Sequence, residues 1–211
     1  MNGPGGRGSP PHGGELVATL FERREPPVRE LADQAAAVAA ACHDMAIRFH
    51  RGGKLVVFGV GGASTDAQHV AVEFVHPVIV GKRALPALSL TTDIATVTGI
   101  AATEGMAAIF SHQLDRLAQP ADIALGISAD GDCPSVLSGL ETAHELGLLT
   151  IALTRADGPV ATSKAVDHAL VTSATDPRVV KEVHVTTYHV LWELVHVFFE
   201  QPGVLDPGVV G

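Results

Sequence analysis

A chain of 211 residues that is 46% hydrophobic and 18% charged suits one globular domain with a full core, and excludes disorder over most of its length. Its formal charge of −9 and pI near 5.6, with 14 scattered Lys and Arg, argue against a nucleic-acid backbone as direct ligand. Cys42 and Cys133 lack metal-ribbon or CxxC spacing and exclude a disulfide framework, and no apolar run nears the roughly 20 residues of a membrane span, so a cytoplasmic protein without membrane contact is expected.

Residues 1–14, rich in Gly and Pro, are read as a disordered lead, 15–201 as a single domain and 202–211 as a tail. Two helices follow the lead, at 15–24 and 27–50, separated by Pro26 and Pro27. In the second, Leu31, Ala35, Val38, Ala39, Cys42 and Ile47 recur at helical spacing. That stripe either covers the protein's own sheet or packs against a second chain.

From Lys54 short β-branched runs alternate with longer helical stretches. Strands are expected at 54–58, 85–90, 122–128, 149–154 and 168–172, and helices near 63–79, 93–117, 134–147 and 177–201. Such alternation predicts an α/β fold with a doubly wound, five-stranded parallel sheet and right-handed crossovers. Ligands of these sheets bind beyond the carboxyl ends of the strands, which directs attention to loops 59–65, 90–93 and 128–134.

The first of these loops, Gly59-Val60-Gly61-Gly62-Ala63-Ser64, opens a helix carrying Asp66, Gln68, His69 and Glu73. Glycines here let backbone N–H groups approach an anion at a helix N-terminus. By itself the turn has neither GxGxxG nor GKS spacing and also fits a purely structural role. Likewise His69 and Glu73, four apart, suit an ordinary intrahelical contact, and Thr92-Asp93 an ordinary helix cap.

Taken in order, GVGGASTDAQHVAVE at 59–73, Leu85-Pro86-Ala87, Leu90-Thr91-Thr92-Asp93, Phe110-Ser111-His112-Gln113, Gly126-Ile127-Ser128 and Glu182-Val183-His184 ending at His189 resemble the sugar isomerase (SIS) domain, in its phosphoheptose isomerase branch. The resemblance implies a homotetramer with active sites between subunits that converts sedoheptulose 7-phosphate to a heptose 7-phosphate. By that likeness Glu73 moves the proton between C1 and C2 and His189 is the partner acid. Gly61, Gly62, Ser64, Thr92, Asp93, Ser128 and Gly131 would line the sugar-phosphate site. Many members hold zinc through four side chains, of which His69, Glu73 and His189 match.

The chain also departs from the family. Its first loop has Val60 and Ala63 where the family's GNGGS has hydrogen-bonding Asn and Ser. The second phosphate loop, STSGNS in the family, is Ser128-Ala129-Asp130-Gly131-Asp132-Cys133, and Pro77 stands in place of a substrate-binding Arg. A carboxylate 5 Å from a phosphate at an effective dielectric near 20 costs roughly 3 kcal/mol per charge pair. Asp130 and Asp132 therefore either oppose the anion or turn away to cap the next helix. Lys181 occupies the fourth zinc-ligand position, and an ammonium there opposes a cation and is expected to approach Glu73 instead. These departures predict no bound cofactor, zinc being the one candidate ion. They further predict a binding or accessory homotetramer serving a protein partner or a sugar ligand rather than an enzyme, with the aldose–ketose isomerase as the alternative.

Overall fold

A computed structural model describes residues 13–201 together with Gly203 and Leu205. Most of the disordered lead expected at 1–14, and most of the tail at 202–211, lies outside the described residues. Gly13 and Gly14 already belong to the first helix.

Three helices precede the sheet: α1 (Gly13–Glu22), α2 (Glu25–Asp33) and α3 (Ala35–His50). The single helix expected over 27–50 is broken at Gln34, whose backbone at φ −89° and ψ 13° leaves the helical region. The physical reason lies in its side chain. The Gln34 amide donates to Val171 O at 2.7 Å and accepts from Val171 N at 3.2 Å, pairing like a short strand with the outermost strand of the sheet. Pro26 and Pro27 at the start of α2 cost no hydrogen bond there.

The remaining elements are β1 (Leu55–Gly59), α4 (Gly62–Val75), β2 (Ala87–Ser89), α5 (Ile94–Thr103), a 3₁₀ turn (Met106–Ala108), α6 (Ser111–Leu117), β3 (Ile123–Ser128), α7 (Pro134–Glu145), β4 (Leu149–Arg155), α8 (Pro159–Thr162), β5 (His168–Thr172) and α9 (Pro177–Glu200). The helix expected over 93–117 is three pieces, because Gly105 at φ +93° turns the chain out of the helical region.

All strands pair in parallel in the order β2-β1-β3-β4-β5, which confirms the doubly wound reading. β1, β3 and most of β4 are buried on both faces, hence their unbroken Val, Leu, Ile and Ala content. One face packs on α3, α4 and α9 through Val38, Met45, Phe74, Leu191 and Trp192, and the other on α7 and its neighbours through Phe58, Phe110, Val136 and Leu140. The α3 stripe therefore covers its own sheet. Its apolar face is Val38, Ala41, Cys42, Met45, Ala46 and Phe49, with Ala35 exposed. The unpartnered apolar face belongs to α1, where Leu16, Val17 and Phe21 are half or more exposed.

Chain direction across the sheet reverses between β1 and β3, so the crevice of the fold opens above these two strands, where loops 59–62 and 128–133 emerge.

Candidate functional site

At the first loop, Gly61 adopts φ +61° and ψ −124°, a conformation closed to residues with a Cβ, and α4 begins at once without a side-chain cap. Ser64 spends its hydroxyl on Gly61 O at 2.7 Å. In the second loop, Ser128 Oγ donates to Asp130 Oδ1 at 2.9 Å, and Asp132 N donates to the same oxygen at 3.2 Å. Neither aspartate caps α7, whose N-cap is Cys133 with no side-chain hydrogen bond. The capping expectation thus fails for a local reason: Asp130 satisfies its own loop.

Thr92 and Asp93 lie elsewhere. Asp93 is the N-cap of α5, accepting from Thr96 N at 3.1 Å and Thr96 Oγ1 at 2.6 Å, and these bonds hold its carboxyl below the usual range. Both residues line an open groove of 740 Å3 beside β2 with Gln68, Val72, His112 and Arg116.

His69 and Glu73 on α4 and His189 on α9 are brought together. Their ligating atoms all lie within 4.8 Å of one another. His69 Nε2 is 3.1 Å from Glu73 Oε1, and the His69 and His189 rings meet edge to face at 5.3 Å. Glu73 is the most enclosed of the α4 pair, with 13% of its side chain exposed against 43% for His69. Its position is fixed from behind by Trp192 Nε1, which donates to Glu73 O at 2.8 Å. Tyr188 Oη sits 2.9 Å from His69 Nδ1. Burial pushes the Tyr188 hydroxyl up to about 12, with Asp66 and Glu73 adding to the shift, so it stays a phenol near neutral pH.

Lys181 does not approach Glu73. Its Nζ lies 2.6 Å from both oxygens of buried Asp66 and 3.1 Å from Gly62 O. The eight residues from Lys181 to His189 rise about 12 Å on α9, and Lys181 meets α4 near its N-terminal end while His189 meets it farther along. The ammonium is therefore matched by its own carboxylate and does not intrude on the three-residue cluster. His69, Glu73 and His189 form a donor set that would suit zinc, two imidazoles and a carboxylate, with Tyr188 orienting one imidazole from its far nitrogen.

Three site residues went unassigned in the sequence. Asp66 was visible only as part of the α4 motif, and Tyr188 only as the single tyrosine, one place before His189. Arg155 ends β4, whose following loop obeys the same carboxyl-end rule as the loops singled out.

A parallel α/β sheet with glycine turns above β1 and β3 and a His–Glu–His cluster between α4 and α9 fits a sugar-isomerase type of domain. The SIS-domain family model matches residues 26–155. Phosphoheptose isomerase of Desulfovibrio desulfuricans is 38% identical over 198 residues, covering 92% of this chain and 88% of that protein; the one from Solidesulfovibrio magneticus is also 38% identical, covering 91% and 94%. Among solved structures, a phosphoheptose isomerase from Francisella tularensis superposes with a TM-score of 0.81 at 28% identity, covering 89% of this chain and 100% of that one. A phosphoheptose isomerase from Neisseria gonorrhoeae gives 0.77 at 27% identity, covering 86% and 97%. The chain belongs to the SIS-domain family, in its phosphoheptose isomerase branch.

Proposed function

We propose that the protein is an aldose–ketose isomerase acting on a heptose phosphate or a closely similar sugar phosphate. The observation that carries this reading is the convergence of Glu73, His69 and His189 within 4.8 Å on two helices held together by Trp192 and Tyr188. The expected accessory role has no support of its own, whereas the relatives that match over most of the chain are named as isomerases. One of the departures behind that role, an ammonium beside Glu73, is removed by the Lys181–Asp66 pair, while the altered phosphate loops at Val60, Ala63 and Ala129 remain.

In this reading Glu73 takes the proton from the carbon beside the sugar carbonyl and returns it to the former carbonyl carbon, through an enediol. His189 exchanges the accompanying proton between the two oxygens, so the reaction is internal and atoms balance. A zinc ion held by His69, Glu73 and His189 would supply Lewis-acid polarisation of the carbonyl.

A single chain leaves this cluster open, with His189 exposed. From Gly62 to Glu73 the rise along α4 is about 16 Å, so the glycine loop and the acid–base cluster of one chain are widely separated. This separation and the exposed apolar faces of α1 and α4, including Val72 and Val75, support a homo-oligomer whose subunits complete one another's sites.

The test is turnover of sedoheptulose 7-phosphate, followed by loss of the ketose and, in heavy water, by deuterium entering the product to the extent that the proton held on Glu73 exchanges with solvent. Activity is expected in the parent and lowered about 100-fold or more in Glu73→Gln. No turnover by the purified oligomer, with and without added zinc, returns the choice to the accessory role.

A further inference from the structure

Beyond the carboxyl ends of β1, β3 and β4 lies a cavity of 260 Å3 with Val60, Ser128, Asp130, Cys133, Arg155 and Pro177 in its wall. It holds a cation outside the sugar-isomerase motifs. Arg155 is the last residue of β4, with 26% of its side chain exposed. Its Nη2 donates to Asp157 Oδ2 at 2.6 Å, while its Nε is buried and has no hydrogen-bond partner among the described residues. A buried charged donor left without an acceptor is costly, and water or an occupant of the cavity is what remains to satisfy it.

Several neutral donors of the adjoining loop are already committed. Ser128 Oγ and Asp132 N both go to Asp130, and Gly131 N goes to Ser128 O at 3.3 Å. Lys181 is held by Asp66. Arg155 is the one cationic side chain in the cavity wall among the described residues. The start of α7 contributes amides that no side chain caps.

The position of Arg155 is rigid. Gly131 stands at φ +77°, and a Cβ on Gly158 would lie 2.1 Å from Gly131 O, so the loops after β3 and β4 touch backbone to backbone. Val160 N donates to Gly131 O at 3.2 Å and closes the contact. The base of the Arg155 side chain is thereby packed against the loop that carries Ser128.

We propose that Arg155 is the anion-binding residue of this cavity and receives the phosphate monoester of the substrate, in place of the hydroxyl and amide donors missing at Val60, Ala63 and Ala129. Guanidinium suits the role because its planar donors match two phosphate oxygens at once. The guanidinium, shared with the exposed Asp157, sets a positive charge in the wall against Asp130, whose carboxylate is already hydrogen-bonded within its own loop. The proposal rests on the sugar-phosphate reading above, and its experiment separates the two.

Binding of inorganic phosphate and of sedoheptulose 7-phosphate is measured by calorimetry on the full-length protein, with sugar turnover followed in parallel. Arg155→Gln keeps the carbons that pack on Gly131 and is expected to weaken both ligands about tenfold to a hundredfold, raising KM more than it lowers kcat. Arg155→Lys recovers part of the loss. Asp157→Asn, at an exposed position, frees Nη2 and is expected to tighten phosphate binding. Unchanged phosphate affinity in Arg155→Gln, or no phosphate binding by the parent protein, overturns the proposal. Turnover with the parent KM in Arg155→Gln removes Arg155 from the site and leaves the isomerase standing. Phosphate binding that depends on Arg155 without any turnover does the reverse.

Discussion

Tyr188 Oη and His69 Nδ1 lie 2.9 Å apart, and this contact decides which edge of the His69 ring is available for chemistry. With Nδ1 engaged by a phenol, Nε2 faces Glu73 and His189. A phenol both donates and accepts, so it supports His69 as a proton-bearing partner of Glu73 or as a metal ligand. Tyr188→Phe is expected to lower kcat/KM, and zinc affinity if zinc is bound, about 10- to 100-fold while leaving the fold intact. Retention of both values with an unchanged pH profile would reduce Tyr188 to a packing residue.

The Lys181–Asp66 pair ties the last helix to the first turn of α4. Asp66 is 8% exposed at its side chain and Lys181 44%, so the carboxylate depends on the ammonium more than the reverse. Lys181→Met should destabilise the protein by about 1–2 kcal/mol in urea unfolding, since solvent screens part of the pair. Adding Asp66→Asn to that variant should recover most of the loss. A double variant no better than the single one would show that the loss comes from the ammonium's bonds to Gly62 O and Thr65 and not from an unpaired Asp66.

His184 provides a pH signature. Burial is the main cause that lowers its pKa to about 4, below the ordinary 6.5, and its Nε2 has no partner among the described residues. The folded state resists protonation that the unfolded chain accepts. The stability His184 contributes is present above pH 6.5 and is lost progressively as the pH falls toward 4. Between pH 7 and 5 the parent should therefore lose about 2 kcal/mol more than a His184→Asn variant. Parallel stability curves for the two proteins would contradict the assignment.

Cys42 and Cys133 should separate cleanly in thiol labelling. Burial pushes Cys42 up to about 12, and it is fully enclosed, while Cys133 is partly exposed in the wall of the Arg155 cavity. Iodoacetamide is expected to modify Cys133 alone in the native protein and both residues in urea. Inorganic phosphate should slow the native reaction. Rapid labelling of Cys42 without denaturant would mean that the α3–α9 contact opens readily.

The parallel sheet was legible because its period-free apolar runs are long enough to be buried on both faces, and β5 fell at 168–172 as expected. The His69, Glu73 and His189 cluster was legible through family motifs, since no local pattern links His69 to a residue 120 positions away. Other features depended on long-range partners that sequence spacing does not display. Gln34 reads as one more helical residue until Val171 is placed beside it, and Lys181 points toward Asp66 and not Glu73 because α4 and α9 meet at a particular register. Arg155 was hidden for a different reason: its meaning comes from the commitment of its neighbours to one another.

The Gln34 amide has a bearing on how this molecule behaves in a crowded solution. By closing the main-chain donor and acceptor of Val171, with Glu30 accepting from Ser173 N at 3.0 Å just beyond, it blunts this end of β5 as a template for a foreign strand. A chain shortened past Gln34, or one in which a nascent α2 has yet to dock, would present a bare ribbon of backbone and enter a different regime of self-association.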